Sequence, residues 1–362
     1  MLRVPRGVRA FGRDWDPFRP CGVAGFAAAA AVALAVSAGR DLSLATEAAL
    51  IATAVCVFFV LALAARATTG RETLVYYHHE IAVLASVAGV AAILGVPVLD
   101  HLDATALGLG AFLALGRVGC LLAGCCHGRP AHHGVTYGAE RVAEGFPAYL
   151  IDVPLVPVQA LEAAGAAMLV AIGATLVPAT PGAAFGWYVT GYALLRFVLE
   201  LLRGDPVRRY WRGLSEAQWT SLLVVAVMCA LAAAGALPGA AEHLTAFALL
   251  AGAAAITLAR RPRALLHPHH VRELAALLPR PHDGRATVVT TSLGVRLSAG
   301  RSHYTLSAAS GELTQREAAE LASVIAWLGR VPGAVELVPG AAGAYHLIVA
   351  RSCPSPDSRP AS

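Results

Sequence analysis

GRVGCLLAGCCHGRP, residues 116–130, sets Arg117 near the end of a long apolar run and surrounds it with four glycines, three cysteines and a histidine. The run leading into it, LGLGAFLALGRVGCLLAG (107–124), has no other charged residue. An apolar stretch of 18 or more residues reads as a membrane-spanning helix. A charge at the centre of such a helix costs about 2.5–3.5 kcal/mol on insertion scales. Arg117 therefore either snorkels to the interface along a glycine packing seam or marks a polar site inside the protein.

The rest of the chain takes the same side. Of its 362 residues 57% are hydrophobic and only 14% charged, with a mean hydropathy of +0.62. Soluble domains carry about 25% charged residues, so this is an integral membrane protein. The net charge of +5 is scattered in short clusters between apolar runs, where membrane proteins keep it. It is no nucleic-acid footprint.

A bilayer core of about 30 Å needs roughly 20 apolar residues per helix. Eight spans are expected, near 22–38, 45–65, 80–98, 104–123, 155–177, 183–202, 216–236 and 241–259. The fold class is thus an all-α polytopic membrane protein of about seven to eight transmembrane helices, with a small C-terminal α+β soluble module. Residues 1–21 form a polar N-terminal segment and 22–259 the membrane domain. Within it, 124–154 is a polar, Gly/His-rich loop, long enough to suggest function or disorder. Residues 260–283 read as a linker, 284–350 as the module and 351–362 as a disordered tail. In the module, ATVVTTSLGVRLSA, SHYTLSA and AYHLIVA read as strands. Thr314 and Glu317 fit a capping box opening the helix QREAAELASVIAWLG. Arginines before span one, at 66–71, 203–212 and 260–263 fall on one side of an eight-span chain, which the positive-inside rule makes cytoplasmic.

Further ionisable residues sit within the apolar runs. In GYALLRFVLELLRGD (191–205), Tyr192, Arg196, Glu200 and Arg203 fall within roughly a quarter of the helix circumference. That stripe cannot face lipid, so it faces a polar cavity or another helix. Arg196 and Glu200 are spaced to pair, and a neutralised structural pair is a fair alternative. Gln159 and Glu162 lie near the start of VPLVPVQALEAAG, where an acid also suits the helix dipole. YYHHE (76–80) opens another span, and a neutral imidazole there is either interfacial or a general base.

Of seven cysteines, only Cys120, Cys125 and Cys126 cluster. With His127, His132 and His133 they offer soft ligands. However, adjacent Cys125 and Cys126 lack the usual C-x₂₋₄-C zinc spacing, so the expectation is no metal and cysteines that shape the site.

These motifs together resemble the prolipoprotein diacylglyceryl transferase family. GRVGCLLAGCCHG is similar to its GRxGNFxNGExxG, and GYALLRFVLELLRGDP to its GYGxxRFxxEFxRxPD. RGLSEAQWTSLLVV is similar to GLSxGQxLSIP, VPVQALE to HPxQLYE and YHHE loosely to FHGG. Order and spacing agree over about residues 75–235. The resemblance implies an enzyme of the bacterial cytoplasmic membrane that needs no cofactor. Its partners would be phosphatidylglycerol, a lipoprotein-precursor peptide and the bilayer. It would transfer the diacylglyceryl group to a cysteine thiol and release glycerol phosphate. It also implies roles: Arg117 and Arg196, with Arg203, on the phosphate; His78 taking the thiol proton; Tyr192 on the headgroup. Gly119, Gly124, Gly128, Gln159, Glu162 and Glu200 complete the implied lipid site, and the family's glycine-rich segment faces outward. The chain departs from the family at Cys120 and Cys125 (Asn and Glu there), Val156 and Leu161 (His and Tyr), and His79 and Glu80 (both Gly). A non-catalytic or altered-acceptor lipid-binding relative is the main alternative, and a Cys/His metal or thiol-redox membrane protein the lesser one.

Overall fold

The computed structural model describes residues 2–5, 8–10, 13–15, 18–70, 75–147, 150–205, 210–278, 288–300, 303–309, 312–329 and 335–349. The tail expected at 351–362 lies outside them. The chain forms two compact units, residues 1–203 with 217–254, and 204–216 with 255–362.

All eight expected apolar runs are helices: α1 Phe18–Gly39, α2 Leu44–Thr69, α3 Tyr76–Ile93, α4 Val98–Ala123, α5 Val158–Leu176, α6 Ala183–Glu200, α7 Glu216–Ala233 and α8 Ala240–Leu265. Six of them, α1, α2, α4, α5, α7 and α8, are long and apolar enough to cross a membrane. The expected seven to eight spans narrow to these six by that measure. α3 and α6 fall short because they carry YYHHE and the Arg196–Glu200 stripe. The mostly helical membrane architecture stands.

The first unit is built around α4, whose residues 101–108 are all buried. Its closest neighbour is α1. A Cβ on Gly108 would lie 2.9 Å from the Ala29 carbonyl oxygen, and one on Gly25 would lie 3.0 Å from the Phe112 ring. Small residues let two backbones approach where lipid supplies no hydrophobic drive. Buried polar groups at the other end lock register. Asp103 accepts the backbone N–H groups of Gly182 (2.9 Å) and Phe185 (2.7 Å), capping α6. Arg40 bridges Asp100 and Asp103, and His101 Nδ1 meets Glu47 Oε2 at 2.7 Å.

The described residues of the 124–154 connection are ordered rather than structureless. Strand β4 (Pro130–Thr136) pairs in parallel with β1 (Leu2–Arg3), while β2 (Val8–Ala10) and β3 (Arg13–Trp15) form a separate hairpin. Val4, Val135, Tyr137, Phe146, Leu150 and Leu155 make a small apolar core beneath the loop. Arg141, also buried, donates to the carbonyls of Pro5 and Leu122, both at 2.6 Å. These bonds supply the backbone partners a buried loop needs.

The second unit contains the hairpin of β5 (Tyr210–Trp211) and β6 (Leu214–Ser215), then α9 (Pro268–Leu277) and the C-terminal module. Strands β7 (Val289–Thr290), β8 (Val295–Ala299), β9 (His303–Ala308), β10 (Val335–Pro339) and β11 (Tyr345–Val349) form one antiparallel sheet in the order β10-β11-β9-β8-β7. β10 was not among the expected strands; VELVP ends in proline, and it sits at the sheet edge, where proline is tolerated. The stretch read as a linker is largely helix. Leu265 and Leu274 enter the module's core, and His270 bonds Thr291 Oγ1 at 2.8 Å. The helix α10 (Gln315–Leu328) opens on the expected capping box of Thr314 and Glu317. Thr314→Ala should cost about 1 kcal/mol. Amide exchange across 315–319 in the whole protein should accelerate while β8 and β9 stay protected.

Candidate functional site

Three helices converge on one carboxylate. Pro157 precedes α5, and the second turn of α5 carries Glu162, which is 1% exposed. Its Oε1 accepts the Tyr192 hydroxyl of α6 at 2.8 Å. Its Oε2 lies 2.9 Å from Arg117 Nε of α4 and 4.0 Å from Arg196 Nη1 of α6. Arg196 also holds Glu200 at 2.8 Å, one turn along its own helix. The α6 stripe thus faces its neighbours, as its helical spacing requires. Two cations and two carboxylates, all buried, neutralise one another. Burying such charges is strongly unfavourable unless they are paired.

Arg117 is not saturated. Among the described residues it has no hydrogen-bond or salt-bridge partner beyond Glu162. A guanidinium offers five N–H donors in a planar fork, so its terminal amino groups keep capacity for an acceptor. Arg203, half-buried, lies just beyond α6, and its backbone bridges to Gly128.

A tyrosine layer adjoins this cluster. The Tyr192 ring lies 5.0 Å from that of Tyr76 and 5.7 Å from that of Tyr77. Tyr76 and Tyr188 share a 2.7 Å hydroxyl contact, as do Tyr77 and Ser221. Glu80 is buried on the same face of α3, and its Oε1 has no hydrogen-bond partner among the described residues. Sequence reasoning did not single out Tyr76, Tyr77, Tyr188 or Glu80 as one layer. Their signal was the placement of Tyr76, Tyr77 and Glu80 on one face of a helix. His78 is exposed and stands on the opposite face of α3, so it does not join the arginines. His79 instead packs on Phe58 and bonds the Val75 carbonyl.

The glycine-rich segment folds back after α4. Gly124 adopts φ +78 and donates to the Cys120 carbonyl at 2.9 Å, a left-handed helix cap. Gln159 Nε2 then donates to the Cys125 carbonyl at 2.8 Å. Gln159 therefore secures the turn rather than the arginine cluster. Outside the helix, the Cys126 thiol is held well below the ordinary thiol range by hydrogen bonds with Cys120 and Cys125, with Arg203 and Arg117 acting in the same sense. Cys125 is pushed up by the same two neighbours.

The glycines expected to line a lipid cavity have other neighbours. A Cβ on Gly119 would meet Cys21 Cβ of α1 at 3.0 Å, and one on Gly128 would meet the Val156 carbonyl at 2.2 Å. Gly124 is a helix cap packed on Tyr137. Gly116 of the same segment, by contrast, opens on empty space. An apolar pocket of about 60 Å³, lined by Phe26, Phe58, Phe112 and Glu47 among others, lies among α1–α4 and has no arginine in its lining.

The profile of the family described as Prolipoprotein diacylglyceryl transferase matches residues 25–234, more than half of the chain. A similar curated protein is Phosphatidylglycerol--prolipoprotein diacylglyceryl transferase 2 of Clostridium perfringens (strain 13 / Type A). The two are 32% identical over 139 residues, covering 35% of this chain and 49% of that protein. The chain thus spans about half the length of that relative.

Proposed function

Because the chain belongs to the prolipoprotein diacylglyceryl transferase family, we propose that it moves a diacylglyceryl group from phosphatidylglycerol to a cysteine thiol of a lipoprotein precursor, in a bacterial cytoplasmic membrane. The observation that carries the reading is a buried Arg117 with donor capacity beyond Glu162, held beside Arg196. The acceptor sulfur attacks the glyceryl carbon bonded to the phosphate oxygen. The C–S bond forms as the C–O bond breaks, and its electron pair leaves with glycerol phosphate. The thiol proton passes to water. Phosphate charge rises from one negative toward two during this step. Fixed guanidinium groups in a dry site favour that rise, because they stabilise the transition state more than the bound lipid. Arginine suits this role better than lysine because its planar fork matches two phosphate oxygens.

In this reading Glu162 and Glu200 orient the two guanidinium groups, and Tyr192 fixes Glu162. Arg203, just beyond α6, adds a third guanidinium near the cluster. His78, exposed on α3, is accessible to an arriving peptide rather than to the phosphate.

Complementation of a strain depleted of its lipoprotein transferase tests the proposal. Mass analysis of a reporter lipoprotein should show its cysteine carrying a diacylglyceryl group only when this chain is expressed. An unmodified cysteine, with the protein inserted and binding phosphatidylglycerol vesicles, would instead make it a non-catalytic lipid binder.

A further inference from the structure

The reversal after α4 gathers three thiols. Cys120 lies on the last turn of α4, and the Gly124 cap sends the chain back beside it. Cys126 then takes φ +53, a left-handed conformation rare for a residue with a Cβ. Such strain persists only where the surroundings impose it, and it concentrates at functional sites. The result is that Sγ of Cys120, Cys125 and Cys126 all lie within 4.8 Å of one another. No disulfide joins them.

We propose that Cys120, Cys125 and Cys126 form a three-thiolate site for a single thiophilic cation of the zinc class. A zinc–sulfur bond of about 2.3 Å sets ligand sulfurs roughly 3.8–4.0 Å apart. The observed cluster needs to contract by about 1 Å or less, within reach of small rotations about the Cα–Cβ bonds. Three thiolates and a divalent ion sum to one negative charge. All-sulfur ligation selects zinc or copper(I) over magnesium or calcium. Three protein ligands leave the fourth tetrahedral position open; Cys120 itself lies one helical turn beyond Arg117 on α4. The adjacent Cys125 and Cys126 concealed this in the sequence. The pairing that matters is Cys120 with Cys125, separated by four residues across the helix cap.

The test uses full-length protein purified in detergent under reducing conditions. Metal analysis should find about one zinc per chain. Cobalt exchange should give a thiolate-to-cobalt charge-transfer band. Cys120→Ser and Cys126→Ser should each lose the zinc and the band, whereas Cys56→Ser and Cys229→Ser, outside the cluster, should keep both. Should the serine variants fail to insert, alkylation of the unaltered protein decides. Zinc should shield the three thiols from iodoacetamide, and a chelator should expose them. Three thiols that alkylate equally with and without zinc, or a cobalt band that survives Cys120→Ser and Cys126→Ser, would overturn the site.

Discussion

Arg117→Lys and Arg196→Lys should each cut diacylglyceryl transfer by about two to three orders of magnitude, the cost of losing one oriented donor to a developing oxyanion, about 2.7–4 kcal/mol. Lysine retains the positive charge. It can still neutralise Glu162 or Glu200 and reach the interface as a snorkelling cation. What it loses is the second donor of the planar fork. The substitution therefore separates charge from geometry. If Arg117 serves only to end a helix at the membrane surface, Arg117→Lys keeps its transfer rate and its inserted level. If it grips phosphate, the inserted level stays near normal and kcat falls, because the missing bond forms most strongly in the transition state. Arg40→Lys is the informative contrast. Arg40 is tied to Asp100 and Asp103 at the other end of α4, so its loss should lower the inserted level rather than the rate per inserted molecule. Unimpaired transfer by both Arg117→Lys and Arg196→Lys would remove the clamp.

Much of this arrangement was legible in the residues, for physical reasons. A lipid-facing Tyr-Arg-Glu-Arg stripe is too costly, so α6 had to turn Tyr192, Arg196 and Glu200 inward, and it does. The capping box at Thr314 was legible because it is local: both partners lie within one turn. What stayed hidden depends on contacts distant in sequence. Nothing local says that Glu162 of α5, rather than only Glu200 of α6, would take Arg196, or that Arg117 would share the same oxygen. His78 was placed by a motif match, yet the face it occupies is decided by Tyr77 and Glu80 packing inward. The gathering of the three thiols stayed hidden because adjacency of Cys125 and Cys126 does not show how a left-handed cap folds residue 125 back on residue 120.

The glycines provide the second large effect, and here packing replaces the cavity inferred from sequence. Gly128→Ala should nearly abolish inserted, active protein, while Gly116→Ala should leave both unchanged. At Gly128 a methyl would sit 2.2 Å from the Val156 carbonyl oxygen and 2.8 Å from Val158 Cγ2. The first neighbour is backbone and cannot rotate away. It is held there because Val156 donates to the Arg129 carbonyl at 3.0 Å, while Arg129 donates to the Leu202 carbonyl at 2.9 Å. Residues 128–129 are thus laced between the entry to α5 and the exit from α6. Forcing a methyl in moves these backbones apart by about 1 Å, and overpacking alone costs about 1–3 kcal/mol. The displaced elements carry Glu162 and Arg203, so the surviving protein should also transfer lipid slowly. At Gly116 an added Cβ meets nothing within 4 Å, and alanine is favoured over glycine inside a helix by about 0.5–1 kcal/mol. Gly119→Ala belongs between them, its Cβ 3.0 Å from Cys21 Cβ. The measurement is inserted protein by protease protection, with transfer normalised to it. Gly116→Leu sharpens the contrast because its side chain would enter open space. Should Gly116→Leu insert normally and lose transfer, the lipid passes at that glycine, and a purely packing account of the segment fails there. Should Gly128→Ala insert and transfer normally, the lacing between α5 and α6 does not hold the site.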